Sequence, residues 1–345
     1  MKAFIYEKEG TIKIKDVEKT ALPKGGAIAK IACTSICGTD LRTYRFGSSK
    51  LSAPRIIGHE ACYIIEEIDS SVKDFIVSDR VIIAPAIGCG KCKSCLRGHI
   101  NMCDDLKTIG FQYDGTFADY CAIPSQAFKM QNVIIVPDNI SDEEACVVEP
   151  IACAINGQSF LDINKGDNVL IYGAGYLGCI HAELAIIKGA NKVILADISD
   201  KRRKQAKKDV KNIHVLNSGD VNFIDRVKEI IGAEGVDVII TACPAGVTHK
   251  QALEIIYKNG RISLFGGLAG EGTGYLDSNM IHYKEIGVFG VHAATPEHNR
   301  QALKLVEDKT LEVKKYLDVF SIDEIVEAFE SLKSEDSVKG IIKVK

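Results

Sequence analysis

Two sets of metal-binding side chains and one glycine turn hold most of the chemistry available to this sequence. Cys89, Cys92, Cys95 and Cys103 follow a C-x2-C-x2-C-x7-C spacing in a loop containing Gly, Lys and Asn. Four thiolates this close can complete a tetrahedron around Zn²⁺ with no open position, which describes a structural site. An iron–sulfur cluster also uses C-x2-C-x2-C, but the bacterial ferredoxin run continues with x3-C-P. Here the fourth cysteine comes after seven residues and is followed by Asp104. Zinc is the expected occupant, with an iron–sulfur cluster and free thiols as alternatives.

The second set is dispersed: Cys37 in Cys37-Gly38-Thr39-Asp40, the pair His59-Glu60 after Gly58, and Glu149 in Glu149-Pro150. One thiolate, one imidazole and one or two carboxylates suit a catalytic zinc, which uses three protein ligands and keeps a position open. Asp40, close to Cys37 in sequence, can accept the ring N–H of His59 and fix its tautomer. Spacing alone leaves this set open, because Gly-His-Glu is commonly a surface turn and a single Cys a small buried hydrophobe.

The third feature is the run Val169 to Gly178, an apolar strand leading into Gly173, Gly175 and Gly178 in G-x-G-x-x-G spacing. The first glycine makes the tight turn, the second lets a pyrophosphate approach the backbone, and the third lets helix and strand pack closely. Phosphates would sit on the free N–H groups of the helix start around Tyr176 and Leu177. About twenty residues downstream, Asp197 ends the next apolar run, where a carboxylate can hold ribose hydroxyls and so favours NAD over NADP. Arg202 and Arg203 follow closely and could accommodate a 2'-phosphate.

These groups need a frame. From about residue 153 strands alternate with helices. The strands are predicted at Asn168 to Tyr172, Lys192 to Asp197, His214 to Leu216, Val236 to Ala242, Arg261 to Phe265 and Glu285 to Gly290. Helical stretches such as Tyr176 to Lys188 and Asp220 to Ile231 lie between them, which predicts a six-stranded parallel sheet. Residues 1–152 carry short strand-like runs, including Ala27 to Ala32, Ala61 to Ile68, Arg80 to Ala84 and Val133 to Val136, and predict a compact all-β unit. After about 291 come a helix near Pro296 to Asp308, another near Ile322 to Leu332 and a strand Gly340 to Val344. This tail is too short to fold alone and is expected to complete the first domain. The expected division is 1–152 with 291–345, against 153–290.

Composition removes several function classes. The chain has 345 residues, 46% hydrophobic and 26% charged, an ordinary globular balance with length for two cores. A net charge of -3 gives no basic excess for nucleic acid. The basic run Lys201 to Lys208 reads as a solvated helix face. No run of 18 apolar residues would span a membrane, and the N-terminal residues read as a strand, not a signal peptide. Twelve cysteines without such a signal point to a reducing, cytoplasmic setting and to metal or buried thiols.

In order and spacing, Cys37-Gly38-Thr39-Asp40, Gly58-His59-Glu60, the four-cysteine loop, Glu149-Pro150 and Gly173-x-Gly175-x-x-Gly178 together resemble the zinc-dependent medium-chain alcohol dehydrogenase family. The resemblance covers essentially the whole chain. The Glu after the His and the Glu-Pro pair look like the polyol and sugar-alcohol branch, the sorbitol-dehydrogenase-like proteins and their sugar-phosphate relatives. In the simple-alcohol branch a cysteine takes the later ligand position.

The resemblance implies an α/β plus β fold: a GroES-like β domain formed by both chain ends, with an inserted Rossmann domain carrying a doubly wound six-stranded parallel sheet. It implies two zinc ions per subunit, a catalytic one among Cys37, His59, Glu60 and Glu149 and a structural one on Cys89, Cys92, Cys95 and Cys103. Thr39 would pass on the substrate proton. NAD would contact Gly173, Gly175, Tyr176, Leu177, Gly178, Asp197 and Arg202, with Gly266-Gly267 and Ala242-Cys243-Pro244 around the nicotinamide. The implied reaction is NAD-linked oxidation of a secondary hydroxyl on a polyol or sugar alcohol, in a homodimer or homotetramer paired through sheet edges. A polyol phosphate or a threonine-like amino alcohol is the alternative substrate; a non-catalytic dinucleotide-binding sensor is the alternative from another class. Relatives often carry a histidine five residues after the first zinc ligand, where this chain has Arg42. Arginine stays protonated, so a proton path must run elsewhere, and Arg42 with Lys50 and Arg55 could instead meet a substrate phosphate. Tyr44, Phe111 and Phe117 are candidates to line the pocket.

Overall fold

The computed structural model describes residues 1–344 except 49, 233–234 and 269–273. The chain divides into two units, Met1–Cys153 with Ala293–Lys345, and Ala154–His292.

In the second unit the apolar runs Asn168–Tyr172 and Lys192–Ala196 pair in parallel, and the sheet grows outward from them. The strand order is Ile213–Leu216, Lys192–Ala196, Asn168–Tyr172, Val236–Thr241, Ile256–Leu264, Gly287–Gly290, every neighbouring pair parallel. Val169, Leu170, Ile171 and Tyr172 are buried, as are Val193 to Ala196, because strands with helices on both sheet faces must be apolar throughout. Strand order reverses between Asn168–Tyr172 and Val236–Thr241, the switch point at which such sheets bind ligands. All six predicted strands are present, the fifth starting earlier than expected, at Ile256.

The first unit is built on a larger, mostly antiparallel sheet in the order Val133–Ile135, Arg80–Ile83, Glu60–Ile68, Ala27–Ser35, Lys339–Lys343, Leu317–Ser321. The strand from the chain's far end lies against Ala27–Ser35, with Ile341 opposite Ser35 and Lys343 opposite Cys33. Phe4, Tyr63, Phe117, Phe329 and Ile342 join one core, so the returning segment packs into the first domain as its length required.

The all-β expectation for residues 1–152 needs correction, since helices Gly38–Phe46 and Val148–Ser159 begin there and carry site residues. The first escaped notice because it is short and polar, burying only Asp40 and Thr43, so it lacks an apolar stripe.

Candidate functional site

Strands Ala27–Ser35 and Glu60–Ile68 run antiparallel with Ser35 opposite Glu60. The chain leaves the first strand into Cys37 and enters the second from His59, so this register brings both ends together. Cys37, His59 and Glu60 each offer a ligand atom within 4.8 Å of the others. Cys37 also caps helix Gly38–Phe46: its Sγ accepts from the Thr39 N–H at 3.4 Å, and Asp40 Oδ2 accepts from the Cys37 N–H at 3.0 Å. Gly58 has φ +93°, and a Cβ there would lie 2.7 Å from Thr116 Oγ1, so only glycine lets the chain turn into His59.

The surroundings of the cluster fix its charges. Asp40 is 2% exposed and its Oδ1 lies 3.7 Å from His59 Nδ1. Burial works against a charged His59, but Asp40 and Cys37 outweigh it and hold the imidazole well above its ordinary pKa. Burial raises the Asp40 carboxyl despite the pull of His59. Glu60 Oε2 accepts from the Ser35 hydroxyl and from Lys339 Nζ, the latter at 2.5 Å. Glu60 Oε1 is buried without a hydrogen-bond partner, while His59 Nδ1 has the Asp40 carboxylate beside it at 3.7 Å. Leaving such an atom unpaired costs about 1–3 kcal/mol, so the arrangement suits a group that completes it. A thiolate, an imidazole and a carboxylate oxygen with an unused lone pair fit a zinc ion.

Glu149 sits in the first turn of helix Val148–Ser159 and lies outside that cluster of three. Its Oε1 accepts from Cys153 Sγ at 3.3 Å. Burial and the neighbouring Glu60 push its carboxyl up, while His59 pulls it down. Among the aromatic candidates, Phe111 lies 5.9 Å from the His59 ring, whereas Tyr44 and Phe117 pack edge-on against Phe329 and belong to the core.

The four cysteines of the loop also bring their sulfurs within 4.8 Å of one another. Backbone N–H groups of the same loop point at them: Cys89 and Asp105 donate to Cys103 Sγ, Cys92 to Cys89 Sγ and Cys95 to Cys92 Sγ. Such bonds favour thiolates. The Cys95 and Asp104 N–H groups pull Cys92 down to about 6, whereas burial lifts Cys103 to about 12. Four sulfur donors, enough to fill a tetrahedron, fit a structural zinc.

In the second unit, Gly173 has φ +103° and a Cβ on Gly178 would lie 1.8 Å from Gly173 O, so both positions require glycine. A Cβ on Gly175 would meet nothing within 4 Å, leaving open space in front of the helix that starts at Tyr176, as a pyrophosphate needs. The Tyr176 side chain is buried, so at this turn only its backbone is on offer. Asp197 Oδ2 accepts from the Ala174 N–H at 2.7 Å and Oδ1 from the Ser199 N–H at 2.9 Å, which locks the carboxylate beside the turn. Arg202 Nη1 is 4.0 Å from it. His181 is fully buried, edge-on to Phe265 at 4.5 Å with Gln158 Nε2 3.3 Å from its Nδ1, and burial lowers it to about 3.

Lys339 and Ser35 escaped the sequence reading. The available signal was a lysine at each end of the strand Lys339–Lys343, and nothing local says that the first faces inward while the second is exposed.

Residues 23–133 match the alcohol dehydrogenase GroES-like domain and residues 177–308 the zinc-binding dehydrogenase domain. L-threonine 3-dehydrogenase of Pyrococcus horikoshii is 35% identical over 271 residues, 77% of this chain and 75% of that protein. Sorbitol dehydrogenase of Halalkalibacterium halodurans is 28% identical over 346 residues, 99% of each. A Sinorhizobium meliloti protein, solved bound to NADP, superposes with a TM-score of 0.89 at 27% identity, over 99% of both chains. With a relative this similar matched over three quarters of its length, the chain belongs to the zinc-dependent medium-chain alcohol dehydrogenase family.

Proposed function

We propose that the protein transfers hydride between the secondary hydroxyl of a polyol or sugar alcohol and NAD. The observation that carries this reading is the convergence of Cys37, His59 and Glu60, with a glutamate, Glu149, at the later ligand position. Similarity to sorbitol dehydrogenase along the whole chain supports the substrate class. Zinc held by Cys37, His59 and one or both carboxylates would supply a Lewis acid that makes an alcohol acidic near neutral pH. The chain's own residues do the rest. Asp40 orients the His59 ring, and the half-buried Phe111 screens it from water. Thr39, next to the Cys37 cap, offers the hydroxyl through which the substrate proton leaves. Arg42 is exposed and stays charged, so it ends no proton relay.

A threonine-like amino alcohol is the second reading, favoured by the 35% identity to L-threonine 3-dehydrogenase. The phosphorylated-polyol version is weakened because Arg55 Nη1 already engages Asp114 at 3.1 Å. The test is NAD reduction by the zinc-replete protein on polyols, polyol phosphates, simple alcohols and threonine side by side. Turnover confined to threonine would replace the polyol reading; NAD binding without turnover on any of them would favour the sensor.

The buried Asp197 beside the glycine turn supports NAD over NADP, and replacing it with Ser should narrow the difference in their Kd values. We place the metal chemistry on 1–152 with 291–345 and the dinucleotide on 153–290. Pairing through the edge strand Gly287–Gly290 into a homodimer or homotetramer would show as a multiple of 37.5 kDa by light scattering. A cytoplasmic location is supported by twelve cysteines that lie outside disulfides, five of them in the two donor sets. Among the described residues, no helix is long and apolar enough to cross a membrane.

A further inference from the structure

A buried ammonium is costly unless it is paired and hydrogen-bonded. Lys339 is 4% exposed, and its Nζ donates to Glu60 Oε2 at 2.5 Å and to Ile36 O at 3.0 Å. The Ser35 hydroxyl donates to the same carboxylate oxygen. Ser35 and Ile36 run directly into Cys37, so one cation ties Glu60 to the segment that presents the thiolate. Two donors occupy Oε2, while Oε1 is buried with no partner. Glu149 is held differently: its Oε1 accepts from the Cys153 thiol, and the Lys339 charge acts on it less strongly than burial, His59 and Glu60 do.

We propose that Lys339 is a positioning residue of the metal centre, an inference that rests on the dehydrogenase reading. By anchoring Oε2 and sharing the charge of Glu60, it limits that carboxylate to a one-oxygen ligand through Oε1 that can withdraw. Glu149, held by the Cys153 thiol and not by a direct ammonium pair like that of Glu60, is the carboxylate that stays. Lys339 thereby keeps a coordination position available to substrate.

The experiment compares Lys339→Met, Lys339→Arg and Ser35→Ala in the full chain with Co²⁺ in the second site, whose visible spectrum reports coordination number. Zinc retention against a chelator, KM and kcat are measured alongside. In Lys339→Met a released Glu60 should bind with both oxygens, so the cobalt spectrum moves toward higher coordination and metal is lost more slowly. KM should then rise, with kcat/KM down roughly 10–100-fold. Lys339→Arg should restore the spectrum, and Ser35→Ala should shift it slightly in the same direction. A lower melting temperature in Lys339→Met with unchanged spectrum, metal retention and KM would leave Lys339 a structural residue and overturn the proposal. If Lys339→Met does not fold, an unaltered spectrum and metal retention in Ser35→Ala overturn it. A wild-type chain that binds the second metal but turns over no polyol sinks the substrate reading and leaves the cobalt comparison intact as the test of Lys339.

Discussion

The metal-bearing unit contains two donor sets that differ in how far the chain travels to make them. The four-cysteine set is complete between residues 89 and 103, and the N–H groups that steady its sulfurs come from the same loop. Cys37, His59 and Glu60 instead meet where two strand ends adjoin, with Lys339 arriving from 279 residues beyond Glu60. A local set can be organised by the metal it binds. A dispersed set exists only once the sheet has its register. On the proposed reading the first stabilises a loop, and the second turns the geometry of a whole domain into chemistry.

Four substitutions break or sharpen that comparison. Cys37→Ser should have the largest effect, a loss of activity of roughly 10³-fold, since a Lewis acid contributes several kcal/mol, with little change in melting temperature. Steady-state NAD reduction alongside calorimetry checks both halves. Asp40→Asn should cost roughly 10–100-fold in affinity for the second zinc, because the partner of the His59 ring loses its charge; competition with a chelator reads it. Cys103→Ser should do the reverse of Cys37→Ser. It should release the loop zinc and lower the melting temperature by roughly 6–12 °C, about 3 kcal/mol in a unit of this size, while turnover per folded molecule survives. An equal loss of activity in Cys103→Ser and Cys37→Ser would erase the distinction between the sets.

The last effect, absent at neutral pH, separates acid sensitivity in the two units. His181 titrates near about 3 in the folded chain, because of burial, against 6.5 ordinarily. Above pH 6.5 it is neutral in both states and contributes no pH dependence. Between 6.5 and 3 the unfolded chain takes a proton that the folded chain refuses, so stability falls with pH through that window and the loss saturates below it. His181→Leu should flatten this part of the denaturation profile for the dinucleotide unit. Acid release of zinc in the other unit should persist.

The parallel sheet was legible because its strands Asn168–Tyr172 and Lys192–Ala196 are buried on both faces and read as nearly continuous apolar runs. The glycine turn was legible because its steric demands fall on the glycines themselves, Gly173 and Gly178 above all. The four-cysteine loop could be read from spacing for the same reason of locality. Helix Gly38–Phe46 could not, because a cysteine caps it and its inward side is Asp40 and Thr43, so neither the usual cap nor an apolar stripe marks it. Lys339 was invisible for a different reason. Its meaning depends on the register of Lys339–Lys343 against Ala27–Ser35, a pairing set across more than 300 residues and not by any neighbour in sequence.

That long-range pairing also orders events during synthesis. At roughly 5–20 residues per second, a ribosome delivers Glu60 about 15–60 s before the ammonium that will neutralise it. In the interval Ala154–His292 is made, a unit with its own core that can fold while the first sheet still waits for a strand. The cysteine loop can capture zinc as soon as Cys103 emerges. The second centre has to load on a finished chain, so translation itself separates the two metal-binding steps in time.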